Sequence, residues 1–176
     1  METQETHLYT LFSKPKGIVL CTVKFNVREY KSECGKIHKV RIKVEHDSMF
    51  PLVEQFKFDV YNGKVTNHTL IDFVLPYAVR GNRIGTFIMH MVYNLIPVSI
   101  RNLKPRISGR LHKEDQSFNR DTLWRSVIGH PKCKESKFRV SKCGDGNFSG
   151  LFYDVGRSWS ETLVVRKGQT IKIRSD

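Results

Sequence analysis

The chain has 176 residues, 39% of them hydrophobic and 11% aromatic, enough for one domain with a proper core. It carries no apolar run long enough to span a bilayer, so no membrane partner is expected. Thirty Lys plus Arg against seventeen Asp plus Glu leave a net charge of +13, which favours polyanionic partners and puts nucleic acid first among them.

Met1 to Thr10 lacks a basic region followed by an apolar core, so a signal peptide is not expected and the cytoplasm is the expected location. Residues 1–16 end in Ser-Lys-Pro-Lys and read as an arm leading into the first strand. From Val19 the odd positions Val19, Cys21, Val23, Phe25 and Val27 are apolar and the even ones polar, the pattern of a half-buried strand. Ser32 to Gly35 turns the chain, and Val40, Ile42 and Val44 then alternate with Lys39, Arg41 and Lys43, giving a second strand with a basic outer face. A third strand is expected where Phe56, Phe58 and Val60 alternate with polar residues, and Asn62-Gly63 supplies the positive φ angles of a tight hairpin into a fourth, Val65 to Leu75.

Arg80-Gly81-Asn82-Arg83-Ile84-Gly85-Thr86 follows as a glycine-bearing turn. Ile84, Phe87, Ile88, Met91, Val92 and Leu95 then fall on one helical stripe, and Pro97 closes the segment. Such a helix start points unpaired N–H groups and the positive dipole end outward, which suits a phosphate. A fifth strand is expected through Ile107, Gly109 and Leu111. A second helix should carry Leu123, Trp124, Val127 and Ile128 on one side and stop at Gly129. Strands around Phe138 and Val140, from Phe148 to Val155, and a terminal pair, Leu163 to Arg166 and Thr170 to Arg174 turned at Lys167-Gly168-Gln169, complete the order. The expected fold is α+β, a mostly antiparallel sheet with two helices packed on it, as one domain over residues 1–176. The four cysteines form no CxxC pair, and no metal site is expected.

The Arg80 to Thr86 loop resembles the acyl-coenzyme A pyrophosphate loop of the GCN5-related N-acetyltransferases, with Arg80 and Gly85 at matching positions and Arg83 where the family has an internal glycine. Leu111-His112-Lys113-Glu114-Asp115, Asn119-Arg120, Leu123-Trp124 and Ile128-Gly129 are similar to that family's second-helix run. The likeness covers about half the chain. It implies an acyl-CoA N-acyltransferase-like fold, with acetyl-CoA or another acyl-CoA held by Arg80, Gly81, Asn82, Arg83, Ile84, Gly85 and Thr86. The backbone of Val74 and Leu75 would pair with the pantetheine arm, and Asn119 would help to fix it. Family members insert two helices between the first and second strands; here only Glu29 to Gly35 separates them.

By the same resemblance a base is sought on the fourth strand, where Asp72 is the carboxylate, and an acid on the second helix, which offers only the indole of Trp124. Tyr77 and Tyr93, with His68 and Tyr153, are the substitutes. Two function classes stay open. One is an acyltransferase acting on nucleic acid or a nucleic-acid-bound protein. The other is an inactive relative of that fold, binding nucleic acid or an acidic protein through Lys39, Arg41, Lys43, Arg101, Lys104, Arg106 and Arg110.

Overall fold

The computed structural model describes residues 1–47, 54–66, 69–71, 80–113, 118–130 and 132–175. Asp72, Val74, Leu75, Tyr77 and His68 lie outside them. The described strands form two sheets. In the larger, β1 (Glu2–Ser13), β2 (Val19–Lys31), β3 (Ile37–His46), β4 (Glu54–Tyr61) and the short β5 (Lys64–Val65) follow one another as antiparallel neighbours. In the smaller, β6 (Thr69–Ile71) pairs in parallel with β7 (Arg106–Leu111), which lies beside β9 (Gly146–Leu151) and then β8 (Lys137–Val140). Between β6 and β7 run α1 (Ile84–Leu95) and the single turn α2 (Val98–Arg101), while α3 (Phe118–Val127) separates β7 from β8. The chain is α+β and its sheets are mostly antiparallel.

The alternation read in the sequence is the alternation observed. Val23, Phe25, Val40, Ile42, Phe56 and Phe58 are buried on one face of the large sheet. Against that face lies α1, whose Ile84, Phe87, Ile88 and Val92 are buried together with Met89. Phe87 sits edge-on to Tyr9 at 5.5 Å, Phe25 at 6.3 Å and Trp159 at 5.1 Å, an aromatic cluster that joins helix, sheet and the 3-10 turn Ser158–Glu161. Gly109 lets the smaller sheet pack closely: a Cβ there would lie 2.4 Å from the Phe148 ring and 2.7 Å from the Ile71 carbonyl.

Four expectations are corrected. Residues 1–16 are no arm: β1 is a twelve-residue strand paired on both sides, and its His7, Tyr9, Leu11 and Ser13 are buried on the core face. Polar residues among those inward positions hid the strand from a hydrophobicity reading. Strands β10 (Leu163–Lys167) and β11 (Ile171–Ser175) are not a hairpin. Each pairs with β1, β10 along Tyr9 to Ser13 and β11 along Glu2 to Thr6, and the Gly168 amide donates to the Leu8 carbonyl where one gives way to the other. The expected fourth strand is divided, with β5 in the large sheet and β6 in the small one. The strand expected from Phe148 to Val155 instead runs from Gly146 to Leu151.

Candidate functional site

The turn before α1 is built from two left-handed residues, Gly81 (φ 81°) and Arg83 (φ 61°). Helix α1 starts without a side-chain cap and without an acidic residue in its first turn. Its dipole and the amides of that turn are therefore offset by no carboxylate of the helix itself. The loop is anchored from one side. Arg83 Nη1 donates to the Ser158 carbonyl at 2.6 Å and lies 2.8 Å from Glu161 Oε2, and Thr162 Oγ1 donates to the Asn82 carbonyl at 3.0 Å. Asn82 Nδ2 donates back to the Arg80 carbonyl at 3.3 Å, and Arg80 itself is half-buried. The bonds of Arg83 thus go to the 3-10 turn. Its partners are 75 or more positions away in sequence, so local motif reading could not have found them.

The catalytic candidates do not converge on this loop among the described residues. Tyr93 is eight residues beyond Gly85, about 12 Å along the helix. Its ring packs on Phe152 at 5.4 Å, with the Arg101 guanidinium 5.5 Å from its centre. Tyr153 lies over Gly129, and its hydroxyl is pushed up by desolvation and then by the neighbouring Cys133. Asn119 is exposed in the first turn of α3. Its neighbour Arg120 is buried and structural, donating to the carbonyls of His112 and Gly144, both at 2.7 Å, and pairing with Asp121.

A polar constellation that the sequence did not suggest lies on the flank of α1. His90 Nδ1 is 2.8 Å from Asp154 Oδ1, and Asn94 Nδ2 donates to Asp154 Oδ2 at 3.3 Å. Burial alone would raise the Asp154 carboxyl, but the Gly156 amide, His90 and Asn94 together hold it below the usual range. With Nδ1 turned to the carboxylate, the His90 ring is oriented and Nε2 is its remaining polar atom.

The basic candidates separate onto different surfaces. Lys39, Arg41 and Lys43 share the face of the large sheet opposite α1. Arg106 and Arg110 project from the small sheet, Arg106 at 2.9 Å from Glu135 and Arg110 across from Asn147. Arg101 and Lys104 stand at the end of α2, Lys104 with φ 53°. On the large sheet no helix enters between β2 and β3, since the turn from Ser32 to Lys36 is all that joins them. A trough of about 550 Å³ opens on that face, lined by Gln4, Lys24, Asn26, Arg28, Arg41, Lys43 and Glu45.

No family model, curated protein or solved structure matches this chain. No described helix is long and apolar enough to cross a membrane.

Proposed function

We propose that the chain is an acyl-CoA-dependent N-acyltransferase-like protein acting on a nucleic acid or a nucleic-acid-associated acceptor. The observation that carries this reading is the parallel β6–β7 pair, Thr69 opposite Ile107 and Ile71 opposite Gly109, with α1 in the connection between them. The glycine-bearing start of α1 carries neither cap nor carboxylate. A strand, an uncapped helix N-terminus and a parallel return strand form an arrangement suited to a pyrophosphate. Gly81, Asn82, Gly85 and Thr86 would hold that group, and a Cβ added at Gly81 would meet nothing within 4 Å, so nothing crowds it there. Acyl-CoA supplies an acyl group activated as a thioester. The chain's excess of cations would bring a polyanionic acceptor to it.

The test is calorimetric titration with acetyl-CoA of the wild type and of Thr86→Glu. An acid in the first turn favours the helix by about 0.3–1 kcal/mol while repelling phosphate. The variant should therefore keep its melting temperature and lose the heat of binding. Absence of heat and of thermal stabilisation in the wild type at millimolar ligand overturns the proposal.

A second reading has its own observation. The basic face of the large sheet, which no described helix covers, supports a binding protein in which the fold is kept and acyl transfer is lost.

A further inference from the structure

We infer that the open face of the large sheet binds a single-stranded polynucleotide, its phosphates on a row of cations and its bases on two exposed tyrosines. The inference rests on the polyanion half of the reading above and is independent of the coenzyme half.

The side chains facing away from α1 are the even positions of β2 and the odd positions of β3 and β4. The register places Arg28 directly opposite Arg41, and Arg41 directly opposite Lys57. Three cations thus stand side by side across three strands, about 4.8 Å apart from strand to strand. Like charges so placed repel, and a bound anion would relieve the Arg28–Arg41 pair. Arg41 is offset by Asp59 at 2.5 Å, whereas Arg28 is exposed and makes no ion pair or hydrogen bond among the described residues. Along β3 the cations Lys39, Arg41 and Lys43 repeat every second residue, about 6.6 Å, a ladder running the length of the strand.

The trough contains one carboxylate, and it is spoken for. Glu45 lies 2.7 Å from Lys24 and 2.6 Å from Lys43, which overcome its partial burial and hold its carboxyl down to about 2. Gln4 and Asn26 also line the trough; the Asn26 amide donates to Glu45 Oε2 at 3.1 Å, and Gln4 supplies an amide able to donate to sugar or phosphate oxygens.

Charge alone would suit any polyanion; the tyrosines decide among them. Tyr30 is 41% and Tyr61 53% exposed, and both belong to this face at the end where the arginines stand. Tyr30 is opposite Lys39, and Tyr61 is opposite Ile37, one step diagonally from that same lysine. Two aromatic platforms on either side of a lysine, beside a cationic row, match the way unpaired bases stack while their phosphates are neutralised. In a duplex the base faces are already stacked, and an acidic peptide gives the tyrosines nothing to stack.

The experiment is fluorescence anisotropy of a labelled fifteen-nucleotide single strand, its duplex and a poly-glutamate peptide against the full chain, over a range of salt. The single strand should bind most tightly, with affinity falling as salt rises. Arg28→Gln should flatten the log–log salt slope by about 0.7, the increment for one phosphate contact on a single strand. Tyr61→Ala should weaken the single strand about tenfold and leave the peptide unchanged. Arg110→Glu with Arg139→Glu, on the other sheet, should change affinity by less than about threefold apart from a general electrostatic loss. Because Arg28→Gln relieves like-charge repulsion, its melting temperature should not fall, so lost binding cannot be assigned to unfolding. Equal or tighter binding of duplex or peptide, indifference to Tyr61→Ala, or loss of binding through the Arg110 and Arg139 changes alone each overturns the inference. Acetyl-CoA titration of Arg28→Gln separates the two proposals, since coenzyme heat should persist when the oligonucleotide signal is lost.

Discussion

Replacing Arg83 with alanine and with glycine separates two energies that coincide at this residue. Its backbone is left-handed, at φ 61°, a conformation that costs a side-chain-bearing residue about 1–2 kcal/mol. Glycine escapes that cost, less about 0.4–1 kcal/mol for its greater freedom in the unfolded chain. The glycine variant should thus be more stable than the alanine variant by about 0.5–1 kcal/mol. Both variants lose the tie to the 3-10 turn. The bond to the Ser158 carbonyl comes from a charged donor that is 40% exposed, so water discounts the roughly 1.5–3 kcal/mol of such groups to about 1 kcal/mol. The pair with Glu161, 68% exposed, adds at most about 0.5 kcal/mol. Arg83→Ala should therefore cost about 1–1.5 kcal/mol, or about 3–5 °C in a chain of this size. Urea and thermal unfolding measure both variants, and a double-mutant cycle with Glu161→Gln should return a small coupling that salt removes. A glycine variant no more stable than alanine would refute the left-handed backbone. Since the observed bonds of Arg83 go to the 3-10 turn, neither substitution should change acetyl-CoA affinity by more than about threefold; a tenfold loss would make Arg83 a phosphate ligand.

Three further outcomes follow from the same geometry. Arg120→Ala should cost about 3–5 kcal/mol in urea unfolding, because it removes the buried guanidinium that donates to the half-buried His112 carbonyl and the buried Gly144 carbonyl and pairs with Asp121; a loss below about 1 kcal/mol would contradict the burial of this guanidinium. Cys21 is pushed up to about 12 by burial and then by Asp47, whereas the exposed Cys34 is lowered by its hydrogen bond with Ser32. Timed alkylation read by mass spectrometry should therefore label Cys34 in the native protein and Cys21 only after denaturation, and equal rates would contradict the packing of β2. Glu45 has its carboxyl depressed from 4.5 to about 2, so its contribution is present above pH 4.5 and is lost as pH falls toward 2. The melting-temperature gap between wild type and Glu45→Gln should narrow over that window, and a gap that stays constant would show that the Lys24 and Lys43 contacts do not form.

Elements whose signals are local were legible in the sequence. Strands β2, β3 and β4 announce themselves by strict alternation. The Asn62-Gly63 hairpin and the α1 stripe likewise need no partner to be recognised. What escaped depends on distant partners. Strand β1 buries His7 and Ser13 beside Tyr9 and Leu11, so its inner face is not uniformly apolar. Gly168 gives the signal of a hairpin turn, yet the two strands beside it lie end to end along β1, at the opposite end of the chain. The loop before α1 divides in the same way. A glycine-bearing turn and helix start could be read from Gly81 and Gly85, while the destination of the Arg83 side chain and the His90–Asp154 pairing, 64 residues apart, could not. Lys39, Arg41 and Lys43 were visible as a basic strand face. The opposition of Arg28, Arg41 and Lys57 needed the register.

The coenzyme reading is tested most directly by amide chemical shifts of the isotopically labelled protein titrated with coenzyme A. Saturable shifts concentrated at Gly81, Asn82, Gly85 and Thr86, abolished in Thr86→Glu, are the expected result. Shifts that spare those amides while the ligand binds elsewhere, or no shifts at millimolar ligand, would contradict it.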